Sequence, residues 1–270
     1  MNPLLVTLIL GTATPGGGFP VYGEAFADMV NAQEPALAIQ TRNTKGSAEN
    51  VPLLEANKLD LGLVAGEIAT AALAKPDTKL RIVTAMYSSP GMFVVRGDSA
   101  VRAIADLKGR PVVLGIEVKP IFLEKAADGP AMVLDGRAAA LWGAGIGWPG
   151  FNAVAKAGGR FVAPNESEIA AILAKNPALK ALTMPAGSYP GQDAPLRTVG
   201  SWSFVLAKPE LPEEVAYKLA RAIHWAESPL AARLAQARET TMANTRAAAP
   251  APELIHPGVR KYLKEIGLEK

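Results

Sequence analysis

The sequence contains no cysteine among its 270 residues and only two histidines. The missing thiols exclude disulfide bonds, thiolate metal sites and cysteine nucleophiles. No run of five or more like charges occurs, and the aromatic residues are not interleaved with basic ones, so nucleic-acid binding is not expected. The net charge of +3 reflects 28 Lys and Arg against 25 Asp and Glu, which is a slight excess.

Long hydrophobic runs are also missing. The apolar segment nearest the N-terminus covers only residues 4–10, whereas a membrane-spanning helix needs about 20 apolar residues. This segment has no basic residues before it and runs directly into a glycine-rich turn. We therefore expect a buried first strand, a chain that does not itself span a membrane, and an export signal that lies outside this sequence.

Strand and helix patterns alternate in the first third of the chain. A composition of 49% hydrophobic and 20% charged residues is typical of an ordered globular protein, and the length suffices for two lobes. Strands are predicted at residues 4–10, 36–41, 59–64, 80–87 and 92–96, and helices at residues 21–30, 47–57 and 67–74. This alternation predicts right-handed βαβ crossovers, a mostly parallel sheet and the α/β fold class.

A second lobe is predicted from residue 98 to 206, with residues 1–97 and 207–270 forming the first. Its strands are expected at residues 111–114 and 138–142, and its helices near residues 152–157 and 166–174. A long β segment at 196–206 would return the chain to the first lobe. A helix then follows Pro212, with Glu213 and Glu214 at its positive end, and residues 247–252 are predicted to be an extended connector.

A glycine-rich turn at residues 11–18 separates the first strand from the first helix. Glycines let the backbone approach a ligand closely, and the N-terminus of the following helix offers free N–H groups to an anion. The spacing is not GxGxxG, no acidic residue follows the second strand, and no GK[ST] occurs, so a nucleotide site is disfavoured. A plain tight turn remains the alternative.

The next strand-to-helix junction spans residues 43–50. Ser47 is predicted to cap the helix, with Asn50 three residues later, and that structural role holds whatever the function. Thr44, Lys45 and Ser47 would also lie beside the glycine-rich turn. Two helix N-termini would then converge on one anion, with Lys45 adding a positive charge.

A third motif combines Trp142 and Trp148 with four glycines at residues 142–150. We expect Trp148 to form an apolar wall over a ligand, whereas Trp142 is equally compatible with the core. Catalysis is not expected, since HExxH, GxSxG and clustered His/Asp ligands are missing. His224 is interpreted as structural, and the predicted mechanism needs neither a metal nor a cofactor.

The order of the motifs resembles that of the TAXI-type solute-binding proteins of TRAP transporters, which have the type II periplasmic-binding-protein fold. The shared segments are residues 11–18 with Tyr22, 46–50, 60–64, 104–109, 135–138, 147–149, 187–192 and 256–262. The resemblance implies two α/β lobes with a hinge and an intervening ligand cleft, and a periplasmic location. It also implies capture of a small carboxylate, such as glutamate, 2-oxoglutarate or another dicarboxylate, for delivery to the transporter's membrane subunits.

The resemblance also nominates site residues. In the first lobe and its glycine-rich turn these are Thr14, Gly17, Gly18, Tyr22, Thr44, Gly46, Ser47 and Asn50. In the second lobe they are Trp148, Tyr189 and Gln192, while His256 falls in a segment that is structural in this family. At residues 115–117 the chain lacks roughly two dozen residues of the family pattern, about one helix and its loop, so the second lobe is expected to be shortened there.

Two other functions stay open at this point. The first alternative is the binding component of an ABC importer or of a sensor, which the sequence alone separates poorly from a TRAP solute-binding protein. Less favoured is an enzyme that uses the glycine-rich turn to hold a phosphorylated small molecule.

Overall fold

The computed structural model describes residues 5–113, 119–121, 123, 125–176 and 179–269. The chain forms two compact units: unit 1 comprises Met1–Thr14, Phe19–Tyr87 and Trp202–Lys270, and unit 2 comprises Pro15–Gly18 and Ser88–Ser201. The sequence places the boundaries at 97/98 and 206/207, at or just after the ends of two long strands, whereas the units divide within those strands. The expected shortening at residues 115–117 lies outside the described residues.

The elements follow one another in an α/β order. In the first third they are β1 (Val6–Gly11), α1 (Gly18–Gln33), β2 (Leu37–Arg42), α2 (Ser47–Glu55), β3 (Leu61–Val64), α3 (Gly66–Leu73) and β4 (Arg81–Val95). Next come β5 (Pro111–Val113), β6 (Lys119–Pro120), α4 (Asp128–Leu134), β7 (Ala140–Ala144), α5 (Pro149–Lys156), β8 (Arg160–Val162), α6 (Glu166–Lys175) and β9 (Lys180–Met184). The last are β10 (Leu196–Ala207), α7 (Glu213–Arg233), α8 (Met242–Ala248) and α9 (Pro257–Glu265).

The sheet of unit 1 has the order β2-β1-β3-β10. β1 runs parallel to both β2 and β3, with Leu10 opposite Thr41 on one side and Leu61 on the other. β10 is antiparallel to β3, with Phe204 opposite Val64. The expected mostly parallel sheet is therefore mixed, but the carboxyl ends of β1, β2 and β3 meet at one edge, where α/β folds place their ligands.

The core of unit 1 lies between this sheet and its helices. Leu8 and Leu10 of β1 are buried with Phe26 and Val30 of α1, and α7 adds a buried stripe that includes Leu219. Each fully buried side chain of this size stabilises the fold by about 1.5–3 kcal/mol. The stripe on α7 confirms the helix predicted after Pro212.

The sheet of unit 2 contains β4, β7, β5 and β6 in that order, with β8 paired to β4 and β9 paired to β10. β7 is antiparallel to β4 and parallel to β5, and Phe93 of β4 lies opposite Trp142. Its core collects Met92, Leu141 and Phe151 beside other buried residues. Unit 2 therefore has an apolar core of its own.

Two local predictions are wrong. The two strands expected around residues 80–96 are one continuous strand, because residues 88–91 are buried and extended rather than exposed in a turn. The connector expected at residues 247–252 is in part the end of α8, and a 3-10 turn begins at Pro252. Among the described residues, no helix combines the length and hydropathy needed to cross a membrane.

Candidate functional site

A buried asparagine ties together the strand ends at the ligand edge of unit 1. The Asn50 side chain is 0% exposed, and its amide nitrogen lies 3.2 Å from the Gly11 carbonyl oxygen, 2.8 Å from that of Thr12 and 2.9 Å from that of Leu63. One side chain from α2 thus donates to the ends of both β1 and β3. The sequence nominated Asn50 as a ligand contact. The structure places it beneath the loops, where its amide holds the ends of β1 and β3 together.

Thr44 joins the loop after β2 to the loop after β1. Its buried hydroxyl donates to the Thr12 carbonyl oxygen over 3.2 Å and accepts the Gly46 N–H over 3.0 Å. A Cβ on Gly46 would lie 3.7 Å from that of Ala13, which is ordinary contact. The turns near Thr14 and Ser47 therefore lie side by side.

Ser47 does not cap α2, contrary to the prediction. The cap position is Gly46, whose φ of 92° suits glycine, and Ser47 is the first helical residue. Its hydroxyl instead accepts the Ala65 N–H over 2.9 Å, which attaches the loop after β3. The Glu49 carboxylate reaches back to accept the Lys45 N–H over 2.5 Å, which ties the residue before the cap position to the first helical turn.

Two backbone donors remain at the start of α2. The N–H groups of Ser47 and Ala48 make no hydrogen bond with any residue that the structure describes. Both N–H groups lie at the N-terminus of a nine-residue helix, which is the positive end of its dipole. The exposed Lys45 precedes them by two and three residues. The free N–H groups suit an anion, while the Lys45 charge is offset by the Glu49 carboxylate in the first turn of the same helix.

Tyr22 lies in the core of unit 1. It is 0% exposed, its hydroxyl is 3.1 Å from that of Thr240, and its ring contacts those of Phe26 and Tyr87. Burial raises the pKa of its phenol far above the usual value. The predicted ligand contact therefore occupies a structural position, and sequence reasoning missed Thr240 because it lies 218 residues away.

In unit 2, Tyr189 holds the loop that precedes α5. It is 3% exposed; its hydroxyl donates to the Gly145 carbonyl oxygen over 2.8 Å and accepts the Trp148 N–H over 3.0 Å. Burial raises the pKa of this phenol as well. Gln192, 6% exposed, accepts the Ser188 N–H over 3.0 Å within its own turn. Both nominated side chains fix backbone in unit 2.

Trp148 is partly exposed, and its ring packs edge-on against Phe151 with centroids 4.8 Å apart. A Cβ on Gly143 would lie 2.3 Å from this ring, so glycine is needed there. Gly17 is buried, and a Cβ on Gly18 would be 3.4 Å from the Trp148 ring. Gly18 of the glycine-rich turn thus leaves room beside the Trp148 ring.

Trp142 packs against Phe93 with ring centroids 4.9 Å apart, and a Cβ on Gly91 would lie 2.3 Å from it. Of the two interpretations of Trp142, this packing supports the core.

Both histidines have hydrogen-bond partners within the fold. His256 is 5% exposed, its Nδ1 accepts the Gly258 N–H over 3.2 Å, and its Nε2 lies 3.0 Å from the Leu211 carbonyl oxygen. Burial lowers the pKa of this imidazole. His224 Nδ1 is 2.8 Å from the Tyr262 hydroxyl. No three His, Asp or Glu side chains in the described part of the chain are grouped as metal ligands.

Comparison with known proteins identifies relatives. The model of the NMT1-like family matches residues 10–120 and 123–267. No curated protein sequence matches the chain significantly.

Solved structures show the same fold. MatC from Rhodopseudomonas palustris with bound malate is similar over 96% of this chain and 98% of its own, at 13% identity and a TM-score of 0.61. A second structure, of a periplasmic transporter, is similar over 99% of this chain and 99% of its own, at 13% identity and a TM-score of 0.59. The alkanesulfonate-binding protein SsuA from Xanthomonas axonopodis pv. citri, bound to MOPS, covers 97% of this chain and 84% of its own at 15% identity and a TM-score of 0.51. The fold is that of the two-lobe periplasmic binding proteins, as the sequence predicted.

Proposed function

The chain belongs to the NMT1-like family, and from this premise we propose that it is a solute-binding protein that captures a small organic anion outside the cytoplasm. The anion carries at least one carboxylate, and the protein hands it unchanged to the membrane subunits of a TRAP transporter. Neither a metal nor a cofactor takes part. This function makes the chain a carrier rather than an enzyme.

One arrangement carries the proposal: three strand-end loops meet at one edge of unit 1, and the start of α2 is left with two free N–H groups. The N–H groups of Ser47 and Ala48 match the two oxygens of a carboxylate, and the exposed Lys45 offsets the Glu49 carboxylate in the same helical turn. The three loops are fixed by Asn50, Thr44 and the Ser47 hydroxyl. A ligand therefore meets donors that need little reorganisation, which reduces the entropy cost of binding.

The ligand class follows from anion recognition at that edge. Two proteins of the same fold are described with bound malate and bound MOPS, and both ligands carry an anionic group. Glutamate, 2-oxoglutarate or another dicarboxylate is the ligand that we propose for this chain. Within unit 2, the partly exposed Trp148 ring is the side chain that we propose as an apolar ligand contact.

Calorimetry with the purified protein tests the ligand class. The panel contains malate, 2-oxoglutarate, glutamate, an alkanesulfonate and a nucleotide, and each carboxylate is paired with its neutral amide. We expect micromolar or tighter binding of a carboxylate and none of its amide. Tight nucleotide binding without carboxylate binding would overturn the proposal in favour of a phosphate-handling enzyme.

Two substitutions at Ser47 separate the backbone donor from the side chain. Ser47→Ala removes only the hydroxyl, whereas Ser47→Pro also removes the N–H, at a first helical position that proline tolerates. A hydrogen bond to a charged group contributes about 1.5–3 kcal/mol, so the proline variant should bind roughly 10- to 150-fold more weakly than the alanine variant. Equal affinities of the two variants would show that this N–H does not bind the anion.

Reconstituted transport tests the partner. In proteoliposomes containing TRAP membrane subunits from the same genome, uptake of the labelled ligand should require this protein and an ion gradient. Uptake that instead required ATP and ABC subunits would assign the chain to an ABC importer. Binding without any transport, coupled to a kinase, would assign it to a sensor.

A further inference from the structure

The net positive charge of the chain lies in unit 2. Residues 88–201 contain 12 Lys and Arg against 9 Asp and Glu, whereas unit 1 contains 16 of each. The net charge of +3 therefore comes from unit 2 alone. Within unit 2, the segment 96–110 contributes four basic residues against two acidic ones. These are Arg96, Arg102, Lys108 and Arg110, with Asp98 and Asp106.

This segment borders a pocket of about 320 Å³ at the end of unit 2 where β4 ends and β5 and β7 begin. Its wall includes Arg96, Asp98, Ser99, Ala100, Arg110 and Gly136, and the remainder is proline and alanine. Because most of these side chains are small, the two arginines supply the long polar groups of the wall.

The two arginines are weakly neutralised. Arg96 Nε lies 3.0 Å from Asp98 Oδ1, but the two side chains are 42% and 74% exposed, so their pair contributes little stability. Arg110 is exposed and forms no ion pair within 4 Å among the described residues, although its charge interacts with the Asp106 carboxylate over a longer distance. The nearby Asp106 carboxylate is already engaged by the N–H groups of Arg102 and Ala103, over 2.8 and 2.9 Å.

More arginines surround the pocket on both sides. Arg102 and Arg160 both donate to the Ser99 carbonyl oxygen, which holds two guanidinium groups at this loop. Arg137 follows Gly136 on the other side and pairs with Asp135 at 2.7 Å. Because Asp135 neutralises Arg137, the positive surface extends beyond the pocket through Arg102 and Arg160 at the Ser99 loop.

The pocket lies away from the loop that carries Trp148 in the same unit. β7 begins beside the pocket at Ala140 and ends at Ala144, before that loop. Five residues of strand span about 16 Å. The pocket is therefore separate from the aromatic loop.

We propose that the pocket between Arg96 and Arg110 docks an acidic segment of a protein partner. A guanidinium group binds a carboxylate with two parallel hydrogen bonds, and the pocket admits one Asp or Glu side chain of the partner. Arg102, whose guanidinium group lies at the Ser99 loop, then meets the next acidic residue of the segment. The proposal rests on charge and shape in unit 2 and does not depend on the proposed function.

A labelled hexaglutamate peptide tests this docking by fluorescence anisotropy with the full chain. We expect saturable binding that weakens as salt rises from 50 to 300 mM. Arg110→Glu should weaken it at least about tenfold, as expected when a charge at the centre of a charged contact is reversed. Lys180→Glu makes the same charge change on the exposed start of β9, outside the pocket wall, and should change the affinity less than about twofold.

Each other outcome overturns the proposal. Equal losses in Arg110→Glu and Lys180→Glu would reveal attraction to net charge only. Inorganic phosphate that displaces the peptide at equal concentration would identify a small-anion site. Capture by vesicles containing phosphatidylglycerol, without peptide binding, would identify a membrane contact. Thermal unfolding of each variant shows whether it is folded, and Arg96→Gln provides a milder second test.

Discussion

Replacing Asn50 by aspartate tests how the strand ends of unit 1 are held together. The Asn50 amide nitrogen faces three carbonyl oxygens at 2.8–3.2 Å, and its own oxygen is buried without a hydrogen-bond partner among the described residues. The side chain therefore acts only as a donor. Asn50→Asp keeps the shape but puts a carboxylate oxygen where three carbonyl oxygens need a donor.

The expected cost follows from the lost donors. Losing two buried hydrogen bonds costs about 1 kcal/mol each, and the carbonyl groups left unpaired add about 1–3 kcal/mol, so we expect a loss of about 3–5 kcal/mol at pH 8. Burial beside carbonyl oxygens raises the pKa of the new carboxyl group in the folded state above its unfolded value. The folded state then binds a proton more readily, so the deficit should shrink as pH falls, by about 1.4 kcal/mol for each unit of pKa elevation.

Guanidinium unfolding of wild type and Asn50→Asp between pH 8 and pH 5 measures this difference. Asn31→Asp is the matched control, since Asn31 is partly exposed and donates to only one carbonyl oxygen, that of Ile39, over 3.0 Å. Its deficit should stay below about 1.5 kcal/mol. If the stability loss of Asn50→Asp equals that of Asn31→Asp, or does not change with pH, Asn50 does not hold the strand ends together as described.

Three further predictions concern other buried polar groups. Thr44→Val keeps the volume but removes the bonds to Thr12 and Gly46, so we expect a loss of about 1–2 kcal/mol in thermal unfolding and weaker ligand binding by calorimetry. Tyr189→Phe leaves the Gly145 carbonyl and the Trp148 N–H unpaired; the fold should lose about 2–3 kcal/mol, and acrylamide should quench tryptophan fluorescence more readily. The neutral His256 imidazole caps α9, and burial lowers its pKa, so its stabilisation is complete above pH 6.5 and is lost as pH falls below it. His256→Asn should keep the cap and remove that part of the acid sensitivity in unfolding curves at pH 5–8.

Local patterns were enough to predict much of the fold. Helical spacing located α1 and α7, and apolar runs located the first three strands, because each pattern depends on residues close in sequence. Strand direction was not predictable in this way. β10 returns antiparallel to β3, a pairing between residues about 140 positions apart, and nothing local in either strand specifies it. The continuous β4 was missed because residues 88–91 contain serine, proline and glycine, which usually indicate a turn.

The candidate site was predictable as a set of loops but not as a set of contacts. Glycine-rich strand-to-helix junctions indicated which loops meet, and the Thr12–Thr44 hydrogen bond joins them as expected. The role of each side chain depended on partners remote in sequence. Tyr22 pairs with Thr240 and Ser47 with Ala65, so both hydroxyls, which the sequence nominated as ligand contacts, have hydrogen-bond partners within the fold.

These internal partners have a consequence for the proposed ligand recognition. Asn50, Thr44 and the Ser47 hydroxyl are all engaged in holding the loops together, so the donors left at that edge are backbone N–H groups beside Lys45. Backbone donors at a helix end recognise negative charge and carry little information about the rest of a molecule. Under the proposed function, unit 1 therefore contributes affinity for a carboxylate as a group. Discrimination between one carboxylate solute and another must then come from side chains that touch the carbon skeleton rather than from these backbone donors.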